Sequence, residues 1–83
     1  MAYAKLKWVK GVGIAGLTYK DKEIPLIEVY KIYNYRYWFI NRTSPLSFLL
    51  DTDKKFKNLE QAKIYAENKL IEFCDELKKD LNG

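Results

Sequence analysis

Residues 58–83 read NLEQAKIYAENKLIEFCDELKKDLNG, and the fold turns on what this stretch becomes. Asn58 is a favourable helix N-cap, and Gln61 follows at the spacing of a capping box. Glu60 falls in the first turn and Lys78 and Lys79 in the last, each complementing the helix dipole. Ala62, Ala66, Leu70, Phe73 and Leu77 recur at spacings of three and four, with Leu59 and Leu81 extending the stripe. Asn82-Gly83 closes the segment. The spacing predicts a helix over about 59–81, roughly 34 Å long. Ile64, Ile71 and Cys74 lie beside the stripe, where they either widen the buried face or touch a partner subunit. The widened core is the expectation, because Ile64 and Ile71 lie within about one core width of the stripe.

Upstream the period changes to two. Lys5–Lys10 (KLKWVK) alternates, with Leu6 and Trp8 on one face. Ile24–Tyr33 (IPLIEVYKIY) is rich in the β-branched and aromatic residues that suit a strand, with Pro25 at its start or on a free edge. Tyr19–Glu23 reads as a turn, and Asn34–Arg36 reverses the chain into an antiparallel return over 37–43. Ser44–Ser47 breaks that strand, Phe48–Leu50 offers a short fourth one, and Asp51–Lys55 leads into the helix. The expected fold is α+β, a single domain over 1–83. A three- to four-stranded antiparallel sheet packs on one long C-terminal helix in the order β-β-β-(β)-α, and the helix overhangs the sheet by a turn or more.

Composition removes whole classes of chemistry. The 83 residues include one cysteine and no histidine, so neither an intramolecular disulfide nor the usual neutral-pH general base is present. No apolar run reaches membrane-spanning length, and the N-terminus lacks the apolar core of a signal peptide, which implies a reduced, cytoplasmic protein without membrane attachment. Residues 1–57 carry eleven Lys/Arg against five Asp/Glu, whereas 58–83 carry four against six. The basic character therefore belongs to the sheet, and a basic region attracts polyanions.

Gly11–Gly16 (GVGIAG) matches the glycine spacing of dinucleotide-binding loops, but Pro25 arrives too soon for the helix that spacing requires. A hairpin arm or bulge with positive φ explains it better. Asp51 and Asp53 lack a third carboxylate for a metal and read as a polar turn. Cys74 has no base nearby in sequence and reads as a small buried hydrophobe. These exclusions point to a non-enzymatic protein with neither cofactor nor metal. One enzyme class survives as a distant third reading: basic ribonuclease toxins of the RelE type can work with Lys, Arg and Tyr in place of His. Lys31, Arg36, Arg42 and the nearby tyrosines supply those types, but the toxins' helices precede the main sheet.

Residues 30–42 (YKIYNYRYWFINR) are what remains. Six of the ten positions from Tyr30 to Phe39 are aromatic, with Arg36 and Arg42 threaded among or beside them. Alternation gives two choices for 37–43, with Trp38 and Ile40 as the natural partners of the helix stripe and Tyr37 and Phe39 on the open face. Both sheet faces hold rings in either register, so one helix cannot hide them all. An exposed aromatic face flanked by cations can stack bases, and the same residue types are enriched at protein hot spots. The candidate contacts are Lys5, Lys7, Lys31, Tyr33, Tyr35, Arg36, Tyr37 and Arg42.

The run from Lys54 to Leu70 after a basic sheet resembles the arm-type DNA-binding domains of tyrosine recombinases. In those domains a sheet enters the major groove and a helix packs behind it. Phe56 and Ala62 match the helix entry, with Asn58 where Ser or Thr is usual. The frame from Met1 to Gly83 also resembles the small stand-alone proteins of phages and mobile elements, including anti-CRISPR inhibitors. The resemblances imply a binding protein whose partner is nucleic acid or a nucleic-acid-processing complex, or an inhibitor acting purely by protein contact. The overhanging helix permits a homodimer without requiring one.

Overall fold

The computed structural model describes residues 6–20, 23–32 and 34–83. Five strands, β1 (Leu6–Gly11), β2 (Ile14–Tyr19), β3 (Ile27–Lys31), β4 (Trp38–Ile40) and β5 (Lys55–Phe56), form one antiparallel sheet in sequence order. Helix α1 (Leu59–Asn82) follows and packs on one face, an α+β architecture.

The helix begins as its sequence dictates. The Asn58 side chain accepts from the Gln61 backbone N–H at 2.9 Å, and Gln61 Oε1 accepts in return from the Lys57 N–H at 3.3 Å. Ala62 and Ala66 are wholly buried, opposite the larger Ile27, Val29 and Ile40. The small residues let the helix backbone approach the sheet closely, and Leu17, Leu50 and Phe56 complete the core. Leu59, Tyr65 and Leu70 pack around it, and Tyr65 also lies against the Phe56 ring at 5.2 Å between centroids. A 24-residue helix is roughly 36 Å long, whereas a six-residue strand spans about 20 Å. Its last turns therefore outrun the sheet, and Leu77 and Leu81 are exposed.

The strand plan differs from the sequence expectation in three places. First, IAGLTY (14–19) is a full strand, paired with β1 on one side and β3 on the other. The glycines read as a hairpin arm or bulge with positive φ do lie in a hairpin, with Gly13 at φ 68° supplying the left-handed turn residue. Gly16 lies mid-strand because Pro25 packs on it, and a Cβ there would sit 2.8 Å from Pro25 Cβ. Second, Phe48–Leu50 adds no strand. Ser47–Leu49 is a 3₁₀ turn in which Leu49 and Leu50 donate to Leu46 and Ser47 carbonyls, turning Phe48 outward. The extra strand is instead Lys55–Phe56. Third, the strands expected over 24–33 and 37–43 are shorter. Pro25 precedes β3, and Asn41–Ser44 curls into a turn held by Ser44 donating to the Asn41 carbonyl at 2.7 Å. Asn34, at φ 74°, takes the left-handed conformation in the reversal between β3 and β4.

Two substitutions test this packing by urea unfolding. Gly16→Ala, which forces Pro25 off the sheet, is expected to destabilise by about 1–3 kcal/mol. Ile40→Ala, which empties a side-chain volume that is only 1% exposed, is expected to lose about 2–5 kcal/mol.

Candidate nucleic-acid interface

The register assigns every strand residue to a face. Trp8, Leu17 and Ile27 stand in one cross-strand row and Ala15, Val29 and Ile40 in the next, all on the helix side. Trp38 pairs with Phe56 in a third row on that side. Trp8 confirms the orientation, because its indole N–H donates to Glu67 of α1 at 2.7 Å. Trp38 and Ile40 thus pack toward the helix, and Tyr37 and Phe39 lie on the opposite face.

That opposite face carries a continuous row across four strands, Ile14–Tyr30–Phe39–Lys55. The Tyr30 and Phe39 rings lie 5.8 Å apart and tilted by 33°, while Tyr35 meets Phe39 edge-on at 6.4 Å. The Lys55 ammonium sits over the Tyr37 ring at 4.4 Å, a cation–π contact that holds a positive charge among the rings. Tyr35 is 56% exposed, and Tyr30, Tyr37 and Phe39 are half-buried. Among the described residues no second layer covers these neighbouring rings, which form a platform with polar rims. Arg36, Tyr37 and Lys57 line a shallow recess at its edge, and Lys7 lies on the same face in β1, paired across to Thr18.

Beside the aromatic row runs a second one, Val9–Gly16–Glu28. Asn41 extends it, its backbone N–H donating to the Glu28 carbonyl at 2.8 Å and its side-chain amide donating to Glu28 Oε1 at 2.7 Å. Pro25 fills the space a side chain at Gly16 would take, and beside it Val9, Lys10, Ile14, Thr18, Glu23 and Glu28 line a shallow dip.

The residues expected as contacts do not all gather here. Tyr35, Arg36 and Tyr37 join the platform, and Lys7 joins its face. Lys31 has the parity of Trp38, so it belongs to the helix side at the end of β3, where it lines a recess with Val12, Ile32 and Tyr35. Arg42 lies beyond β4 and is engaged in an ion pair with Asp53. Lys5 and Tyr33 lie outside the described residues. Sequence reasoning passed over Tyr30, Phe39 and Lys55 as contacts. Alternation from Tyr37 reaches Phe39, but the pairing of Phe39 with Lys55 depends on a two-residue strand that no periodicity marks.

Three expectations about α1 are corrected. Ile64 and Ile71 do not widen the core: they are 54% and 55% exposed, turned roughly 140–180° around the helix from the buried alanines. Cys74 is exposed as well, in turns that have left the sheet behind. Asp51 and Asp53 do form a polar turn, the Asp53 N–H donating to Asp51 Oδ1 at 3.1 Å. Among the described residues no group of three His, Cys, Asp or Glu is placed to hold a metal ion, and no helix is long and apolar enough to cross a membrane.

Comparison with protein-family models, with curated proteins and with solved structures gave no match.

The α1 corrections have measurable consequences. Native Cys74 is expected to react with a thiol reagent at the rate of a free exposed thiol, without denaturant, and slow labelling would place it under a cover. Ile64→Gln is expected to change unfolding free energy by less than about 0.5 kcal/mol, as for an ordinary surface site.

Proposed function

We propose that the open sheet face binds single-stranded nucleic acid. The observation that carries the reading is the row of rings opposite the helix, with a lysine ammonium seated on Tyr37. Bases stack on aromatic faces irrespective of sequence, and cations at the rim meet the phosphates. Lys7, Arg36, Lys55 and Lys57 supply those cations, and the surplus of positive charge in residues 1–57 has the sign this requires. Unpaired strands suit a flat platform better than a duplex, whose bases are already stacked on each other. The protein on this reading is a non-catalytic, intracellular binding module, perfectly compatible with a place on a larger nucleic-acid-processing complex. Action as an inhibitor by protein contact alone is the competing outcome, because Tyr and Arg also anchor protein interfaces.

Fluorescence anisotropy with a labelled oligouridine tests the reading. Four phosphate contacts would give a slope of about −3 in log affinity against log salt, and Lys55→Ala would reduce its magnitude by about 0.7. Tyr35→Ala and Tyr37→Ala should each weaken binding by about 1–3 kcal/mol while leaving the fold intact. A flat salt response, or no binding at low salt, would sink the proposal. Retention of one protein partner in a nuclease-treated pull-down, lost on Tyr37→Ala, would favour the inhibitor reading.

A further inference from the structure

We infer that Glu28 makes this face selective for guanine over uracil or thymine, an inference that rests on the nucleic-acid reading above. Glu28 lies two residues from Tyr30 on the same face of β3, about 7 Å along the strand, within the reach of one base stacked on the Tyr30–Phe39 platform.

Its surroundings leave it only one kind of work. The backbone N–H of Glu28 donates to Ser44 Oγ at 3.0 Å, and its carbonyl accepts from the Asn41 N–H. The Asn41 amide is itself fixed, since its Oδ1 accepts from the Thr43 N–H at 2.9 Å and from the Thr43 hydroxyl at 2.7 Å. The Asn41 NH₂ therefore points at Glu28 Oε1 and holds the carboxylate in place. A carboxylate has about four lone-pair sites, and this one donor fills a single site. What remains is an oriented acceptor beside a shallow dip walled by Val9, Ile14 and Pro25, with Lys10, Thr18 and Glu23 also on its lining.

A phosphate would be repelled by that carboxylate, so the groups that meet it are hydrogen-bond donors. Unpaired bases expose their Watson–Crick edges. Guanine presents two adjacent donors there, N1–H and the N2 amino group, which a carboxylate can accept together. Uracil and thymine present one N–H between two carbonyl oxygens, and those oxygens face the negative charge. Cytosine and adenine each offer one amino group and fall between. Glu28 acts as the specificity residue and Asn41 as its positioning residue, while the rings and cations supply affinity without regard to sequence.

The test compares heptauridylate with the same oligonucleotide carrying guanosine, or inosine, at the centre. Guanosine is expected to raise affinity by about 5- to 100-fold, and inosine, lacking the N2 amino group, to give back part of the gain. Glu28→Gln keeps the acceptor for Asn41 and the side-chain volume, so circular dichroism and the melting temperature should stay close to those of the parent. It should erase the guanosine preference without weakening heptauridylate. Equal binding of the two oligonucleotides, or a preference that survives Glu28→Gln, overturns the inference while leaving the nucleic-acid reading standing. Failure of the parent protein to bind any of the three overturns both.

Discussion

A single helix can cover only one side of a sheet, and this constraint organises the molecule. Side chains alternate across a strand, so each strand must commit its apolar set to one face. Here the commitment is sharpest in the three residues of β4, where Trp38 and Ile40 go under the helix and Phe39 goes over. A slip of one residue would bury Phe39 and place Trp38 and Ile40 in water, and the paired residues of β3 and β5 would follow. The two wholly buried alanines of α1 fit the same register, because close approach of the helix needs bulk from the sheet and none from itself.

The face left uncovered is not treated as ordinary surface. Tyr30, Tyr37 and Phe39 are half-buried, each packed with a neighbouring ring or Lys55. Glu28 and Asn41 are tied to each other by a hydrogen bond, and Gly16 makes room for Pro25. Order of this kind matters for recognition because side chains already held in place lose less entropy on binding. The Asn41 turn is an example: Ser44 fixes its backbone through the Asn41 carbonyl, Thr43 fixes the Asn41 side-chain oxygen, and the Asn41 amide then holds Glu28.

The helix was legible in the sequence because its signals agree: the cap at Asn58, the acidic first turn and the stripe through Ala62 and Ala66 all mark one segment. The two-faced reading of 37–40 was legible too, since Trp38 and Ile40 share a parity that the helix stripe needs. Strand β2 was not, because IAGLTY carries a glycine at its centre and a threonine that is buried through a hydrogen bond to Lys7, and both dilute the alternation. Phe48–Leu50 misled for the opposite reason. A short apolar run suits a strand or a turn equally, and the serine hydroxyls that decide between them act through backbone partners such as the Arg42 carbonyl. Ile64 and Ile71 misled because both are apolar yet lie round the helix from Ala62 and Ala66, on the side turned from the sheet.

That end of the sheet divides α1 into two stretches of unequal security. From Leu59 to Leu70 each turn is fastened by core contacts, whereas from Ile71 to Asn82 the turns rest mainly on their own backbone bonds and an edge contact between Phe73 and Phe48. Short unsupported helix is marginal in water. The amide protons of the distal turns should therefore exchange with solvent through local fraying that leaves the sheet closed, while those of Ala62 and Ala66 wait for the whole domain to open. One continuous helix thus joins turns locked into the core to turns that open on their own.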